Sequence, residues 1–210
     1  MIPKVIHYCW FGRNPKPELI RKCISSWKKY CPDYIIKEWN EDNFDVNACA
    51  YIKEAYEHKK WAFVSDYARL YIIYHEGGIY LDTDIELIKP LDELLWYDAY
   101  FGYENKENVN TGLGFGAVKG EPVLEHILRD YHGYHFLKED GKFDVTPCPV
   151  RNSAVLRNMG FQLNWETTVQ NGIAFLSTEW LSPMDYDSGD IKITGNTISI
   201  HHYSGAWMSK

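Results

Sequence analysis

The sequence predicts an α/β fold, with a mixed, mainly parallel sheet flanked by helices. Three observations predict it. Apolar, β-rich runs alternate with stretches whose apolar residues recur at helical spacing, in the order strand–helix–strand–helix–helix–strand, ending at Leu81. The third of these runs, Ile79-Tyr80-Leu81, is continuously apolar, as a buried strand is. No repeat, low-complexity tract or linker interrupts the 210 residues, and 45% hydrophobic content at that length fills one core, so 1–210 reads as a single domain.

The elements follow in order. Val5 to Trp10 is a strand after Pro3, and "GRNPKP" is a loop. Glu18 to Tyr30 places Leu19, Ile20, Cys23, Ile24 and Trp27 at helical spacing, and Pro32-Asp33 ends it. Tyr34 to Trp39 is a second strand. Asp45 to Lys60 is a helix with Asp45 as its N-cap, and Ala62 to His75 is a longer, more apolar one. Gly77-Gly78 stops it, the first glycine suiting a left-handed cap, and the strand Ile79 to Leu81 follows at once. Further on, Tyr100 to Tyr103 and Leu113 to Val118 read as strands. Pro122 to Tyr134 is a helix with Pro in its first turn. Residues 136 to 151 read as a loop, Asn152 to Asn158 as a short helix, and Ile173 to Leu176, Ile191 to Thr194 and Thr197 to His201 as strands.

Composition narrows the function classes. A formal net charge of −7 disfavours nucleic acid as a partner and means that a polyanionic ligand needs arginine, lysine or a metal ion to hold it. The 5 cysteines, with no CxxC and no metal-finger spacing, read as reduced thiols. "MIPKVIHYCW" has no apolar h-region, and no apolar run approaches about 20 residues, so neither a signal peptide nor a membrane span is expected, while peripheral membrane contact stays open. The 16 Tyr and 8 Trp exceed what a core needs and suit a cleft that stacks on flat or sugar-like ligands.

Four constellations carry chemistry. Asp82-Thr83-Asp84 directly follows the buried strand Ile79 to Leu81, at the carboxyl end where open sheets bind ligands. In an extended chain residues i and i+2 point the same way, so the two carboxylates make a site for a hard divalent cation such as Mg²⁺ or Mn²⁺. An Asp-x-Asp by itself is as readily a solvated turn. Asp66 and Arg69 share a face of the preceding helix. They are either a surface ion pair or, among Val64, Tyr67, Ala68 and Leu70, a buried pair that is put to use. "ISIHHYSGAW" ends a strand on His201 and His202, one of which can complete a metal site, with Ser204, Gly205 and Trp207 as a closing flap; a surface pair is the plainer reading. In "IHYCWFG", Trp10 can stack on a planar base, whereas His7 reads as core.

"IPKVIHYCWFG", "WAFVSDYARLYIIYHEGGIYLDTDIEL" and "HHYSGAW" together resemble the DXD-motif sugar transferases of glycosyltransferase family 32, which includes Och1-type mannosyltransferases and bacterial capsule-synthesis enzymes. The resemblance covers the first hundred residues and the tail; residues 120 to 195 match no pattern of that family. It implies a GT-A type, Rossmann-like fold, a nucleotide-sugar donor, Mn²⁺ or Mg²⁺, and retention of anomeric configuration. On that resemblance Asp82 and Asp84 meet metal and donor, Asp66 and Arg69 hold the donor's sugar and diphosphate, and Trp10 lies at the base. His202, in an H-x-x-G pattern with Gly205, is preferred to His201 as the third metal ligand. Ser204 and Trp207 close on the donor, and Asn110, Thr111 and Gly112 line the sugar pocket.

The expected activity is a retaining transfer of a hexose from a nucleotide-sugar, a UDP-sugar before GDP-mannose, to a saccharide acceptor. The expected setting is capsular or exopolysaccharide synthesis on a lipid-linked acceptor, at the inner face of a bacterial plasma membrane. A metal-dependent nucleotide-sugar hydrolase or phosphohydrolase is the rival enzyme, although no further acid cluster suggests a two-metal site. A non-catalytic carbohydrate-binding domain would account for the aromatics but not for Asp66, Arg69, Asp82 and Asp84.

Overall fold

A computed structural model describes residues 1–185 and 188–205. Strand β1 (Val5–Cys9) lies between β2 (Ile35–Trp39) and β3 (Gly78–Tyr80), and both pairings are parallel. This is the arrangement the strand–helix–strand order requires, because a parallel neighbour is reached only by a crossover. The crossovers are α1 (Glu18–Tyr30), then α2 (Ala50–Glu57) and α3 (Trp61–Glu76). Beyond β3 the sheet becomes mixed. Strand β5 (Ala99–Tyr103) precedes β6 (Val109–Asn110) and β7 (Phe115–Ala117), and β7 inserts antiparallel between β3 and β5. β6 pairs with β5. After α4 (Pro122–Tyr131) and α5 (Cys148–Asn158), β8 (Thr168–Gln170) forms the far edge against β9 (Ile173–Leu176), which lies parallel to β5. A separate antiparallel pair joins β4 (Ile85–Leu87) to β10 (Ser199–His201), with α6 (Thr178–Leu181) beside β10.

Side-chain alternation along the central strands builds two cores. Tyr80, Phe101, Phe115 and Phe175 face α2 to α5, together with Val64, Tyr67, Leu70 and Leu124. Ile79, Leu81, Tyr100 and Leu176 face the other way, toward Trp27 of α1, Ile85 and Leu87 of β4 and Leu181 of α6. Trp27 is fully buried and donates its indole N–H to the Ile85 carbonyl at 2.7 Å. It thereby ties α1 to the strand that follows the Asp82–Asp84 turn, and truncating such a side chain to alanine costs about 3–5 kcal/mol.

The junction that delivers Asp82 is tight. Helix α3 runs into β3 through Gly77 and Gly78, at φ +69° and +107°. A Cβ on Gly78 would lie 2.7 Å from the Val5 carbonyl oxygen, so the glycine serves the close approach of β1 as well as the left-handed backbone. His7 seals this junction. Its Nε2–H donates to the Gly77 carbonyl at 3.0 Å while its Nδ1 accepts from the Trp39 indole at 3.0 Å, an arrangement that suits only the neutral ring.

Several expected elements differ. The helix placed at Asp45 to Lys60 begins at Ala50, because the Asp45 carboxylate turns onto the Asn47 backbone N–H at 2.9 Å and forms a local turn in place of an N-cap. The helix expected at Asn152 starts at Cys148, with Pro149 in its first turn. Ile191 to Thr194 forms no strand, only a bridge between Met184 and Ile191. β4, β6, β8 and α6 escape a sequence reading because two to four residues carry no periodicity. All five cysteines are free thiols.

Burial lowers the His7 pKa to about 4, with Lys37 pushing the same way and the Gly77 carbonyl and Glu76 opposing. An unfolded histidine takes its proton near pH 6.5. Between these values the unfolded chain binds more protons, so stability is full above pH 6.5 and falls by about 3 kcal/mol as pH drops through 4. Urea unfolding at pH 7.5 and pH 4 should therefore show a steeper loss for the wild type than for His7→Gln; equal losses would remove His7 as the cause.

Candidate functional site

Asp66 and Arg69 lie one turn apart on α3 and both are buried, at 8% and 4% exposure. The Arg69 Nη2 donates to Asp66 Oδ1 at 2.8 Å and lies 3.4 Å from Asp82 Oδ1, and its Nε donates to the Ser65 carbonyl at 3.1 Å. The Tyr80 hydroxyl donates to the same Asp82 oxygen at 3.0 Å, and the guanidinium lies over the Tyr80 ring at 5.1 Å. Arg69 is therefore a fixed cation between two carboxylates and an aromatic face. Burial pushes the Asp66 and Asp82 carboxyls up while Arg69 pulls both down; neighbouring Asp84 adds to the upward push on Asp82.

The acidic pair is a turn, not the extended segment expected. Ile85 N–H donates to the Asp82 carbonyl at 3.0 Å, and β4 sets off in a new direction. The turn still brings the carboxylates together. Asp84 accepts from the Ser204 backbone N–H and hydroxyl, both at 2.9 Å on Oδ2, and its Oδ1 lies 3.2 Å from His201 Nε2. Burial alone would raise the Asp84 carboxyl, but His201 and Ser204 hold it well below the ordinary carboxylate range.

Ligand atoms of Asp82, Asp84 and His201 all lie within 4.8 Å of one another. The third position is a correction. His202 turns away and pairs with Glu86 Oε2 at 2.8 Å, while its backbone N–H donates to the Asp84 carbonyl. Pairing of β10 with β4 puts His201 opposite Ile85 and so beside the acidic turn, and alternation sends His202 elsewhere. Two carboxylates and an imidazole fit a divalent cation. The fit rests on this donor set, since His201 Nδ1, on the other side of the ring, is buried without a hydrogen-bond partner among the described residues. Its Nε2 faces the acids.

Asn110, Thr111 and Gly112 form the adjoining wall. The Gly112 N–H donates to Asn110 Oδ1 at 2.6 Å, and Asn152 Nδ2 donates to the Thr111 hydroxyl at 3.2 Å. A Cβ on Gly112 would lie 2.5 Å from Asp82 Oδ2 and 2.9 Å from Arg69 Nη1, so only glycine leaves this corner open. The Cys148 thiol, weakly bonded to Asn110 Oδ1 and Thr111 Oγ1, completes the corner; Cys148 carries no motif that would have singled it out, whereas Tyr80 closes the Gly-Gly-x-Tyr element just before the acidic pair. Trp10 is half-buried at the end of β1, where its indole N–H donates to the Asn14 carbonyl at 2.7 Å.

These groups share one cleft of about 1750 Å³ that runs from Trp10 past Asp66, Arg69, Asp82, Asp84, Asn110 and His201 to Ser204. Thr111 and Gly112 stand behind its lining. Trp207 lies outside the described residues. Among the described residues no helix is long and apolar enough to cross a membrane.

Residues 17–101 match the model of the glycosyltransferase sugar-binding region containing the DXD motif. Inositol phosphoceramide mannosyltransferase 3 of Schizosaccharomyces pombe is 29% identical over 143 residues, 64% of this chain and 40% of the yeast protein. Inositol phosphoceramide mannosyltransferase 1 of the same yeast is 33% identical over 154 residues, 65% and 46% of the two chains. An uncharacterized glycosyltransferase of Acanthamoeba polyphaga mimivirus is 29% identical over 155 residues, 70% and 60% of the two chains. The chain thus spans about half the length of the curated relatives it matches. These relatives are fungal and viral, so the expectation of a bacterial capsule enzyme finds no support among them. Among solved structures, the PaToxG glycosyltransferase superposes with a TM-score of 0.61 at 19% identity, over 75% of this chain and 70% of that one. A glycosyltransferase involved in glycosylation of the PBCV-1 major capsid gives 0.52 at 11%, over 98% and 95%. At these identities the likeness is one of fold, and that fold is the GT-A type.

Removing Arg69 would leave two carboxylates crowded and uncompensated. Arg69→Met should lower unfolding free energy by about 3–5 kcal/mol, read from urea denaturation at neutral pH. A loss below about 1 kcal/mol would mean that water already screens the pair.

Proposed function

We propose that this chain, a DXD-motif glycosyltransferase of the family-32 type, transfers a hexose from a nucleotide-sugar to an acceptor hydroxyl with retention of anomeric configuration, and that residues 1–210 act as one catalytic domain. The observation that carries the reading is the convergence of Asp82, Asp84 and His201 on one point beside the buried Arg69. In this reading Asp82, Asp84 and His201 hold a divalent cation. When bound, the ion supplies a Lewis acid that takes up the charge growing on a diphosphate leaving group. It would also explain how an acidic protein holds a polyanion.

The chain's own residues do the rest. Ser204 fixes Asp84 through two hydrogen bonds and brings the tail against the turn. Arg69, held by Asp66, offers its guanidinium to the donor's sugar or phosphate oxygens. Asn110 borders the sugar with Thr111 and Gly112 behind it, and Trp10 stacks on the base. In this reading the acceptor hydroxyl attacks on the leaving-group face and the departing phosphate takes its proton. Trapping a glycosyl group on a carboxylate of this chain would exclude that route.

UDP-sugars remain the donors of choice on the family resemblance. The fungal relatives are named as inositol phosphoceramide mannosyltransferases, which brings GDP-mannose and a lipid acceptor at a membrane face into the same panel. The imidazole in the ligand set favours Mn²⁺ over Mg²⁺.

Nucleotide-sugar turnover should require Mn²⁺, stop with chelator, and fall at least 100-fold in Asp84→Asn with the circular dichroism spectrum unchanged. Wild-type turnover by Asp84→Asn would remove the metal assignment, and steady donor hydrolysis that no acceptor alters would favour a hydrolase. Trp10→Ala should raise the donor KM about tenfold and leave the acceptor KM alone; the reverse pattern would take Trp10 out of the base pocket.

A further inference from the structure

The cleft is also lined by residues not assigned to the donor, among them a tryptophan in an unusual backbone position. Trp165 has φ +67°, a region that bulky side chains rarely enter. It is 40% exposed and lines the cleft together with Glu104, Asn105 and Lys106. An indole turned out to water from a strained backbone gains nothing for the core, and such positions gather at binding sites.

The surroundings hold this tryptophan rigidly. The phenol of Tyr103, fully buried at the end of β5, accepts the Asn164 backbone N–H, one residue before Trp165, at 3.1 Å. Lys106 Nζ lies 5.1 Å from the indole centroid, and its loop is closed by Asn105 Oδ1, which accepts the Glu107 and Asn108 N–H groups at 2.9 Å each. The same loop reaches the donor end of the cleft, because Glu104 Oε1 accepts from Asn110 Nδ2 at 2.8 Å. Two hydrogen bonds thus lead from Gly112, beside Asp82, through Asn110 to Glu104, and Lys106 two residues on lies over the exposed indole.

We infer that Trp165 is the platform of an acceptor subsite for a pyranose ring, with Glu104 and Asn105 facing the ring's hydroxyls. This rests on the glycosyltransferase reading, which supplies the need for a second sugar next to the donor. A pyranose has an apolar face of C–H groups and a polar rim. It stacks on an indole and hydrogen-bonds at its edge, as an amphipathic ligand in a mostly apolar cleft does. A pre-ordered platform loses little conformational freedom when the ring arrives.

The test reads the indole directly. With tryptophans labelled at Nε1, the Trp165 resonance is identified by its absence in Trp165→Phe. Methyl α-mannoside, methyl α-glucoside and methyl β-galactoside are then titrated to 100 mM with Mg²⁺ and nucleoside diphosphate present. At least one should shift the Trp165 resonance saturably, and Trp165→Ala should weaken that affinity at least tenfold while nucleoside diphosphate binding stays within twofold of wild type. If no pyranoside moves the resonance, or if the affinity survives in Trp165→Ala, the subsite is wrong even where donor turnover is normal. Absence of donor turnover with intact pyranoside binding at Trp165 would instead leave the subsite standing and count against the transferase reading.

Discussion

The site depends on Arg69. Its guanidinium lies between Asp66 and Asp82 in a place almost closed to water, and each carboxylate would be costly there without it. Because the cation is anchored on α3 and Asp82 begins the turn after β3, the ion pair also joins helix to strand end. The Gly77–Gly78 junction makes this possible, since it reverses the chain with no loop between α3 and β3. Electrostatics and backbone geometry are thus one constraint, and the acidic turn has little freedom to move away from the helix.

A second layer sits on that frame. Asp84 is held by Ser204 and His201 from the far end of the chain, and Gly112 comes so close to Asp82 and Arg69 that no side chain fits. One wall of the cleft is therefore polar and preorganised. The same cleft is also lined by aromatic rings and by lysines without a carboxylate within ion-pairing distance among the described residues, Lys60 over Phe143 and Lys106 over Trp165. Such a combination suits a ligand with a charged end and a neutral, amphipathic end.

The first hundred residues were legible because their information is local. Glu18–Tyr30 shows its buried stripe of Ile20, Cys23 and Trp27 in spacing alone, and its observed bounds are those expected. Asp66 and Arg69 were placed together by helical geometry, and their apolar neighbours told of burial. Asp82 and Asp84 were found in spite of a mistaken geometry, since a turn brings together what an extended strand would also have aligned. Asp45 misled because an aspartate caps turns as readily as helices. Trp165 was missed because one exposed tryptophan in a loop has no periodicity to mark it.

By itself, then, the sequence determined the α/β class, the acidic pair, the helix-borne Asp66 and Arg69, and the core position of His7. The tertiary structure decided that His201 and not His202 faces the acids, that Gly112 abuts Asp82, and that Trp165 shares a cleft with Trp10. The physical reason is range. Periodicity is written in neighbouring residues, whereas the register of β10 on β4 and the meeting of cleft walls are chosen by packing between segments that only the folded chain brings into contact.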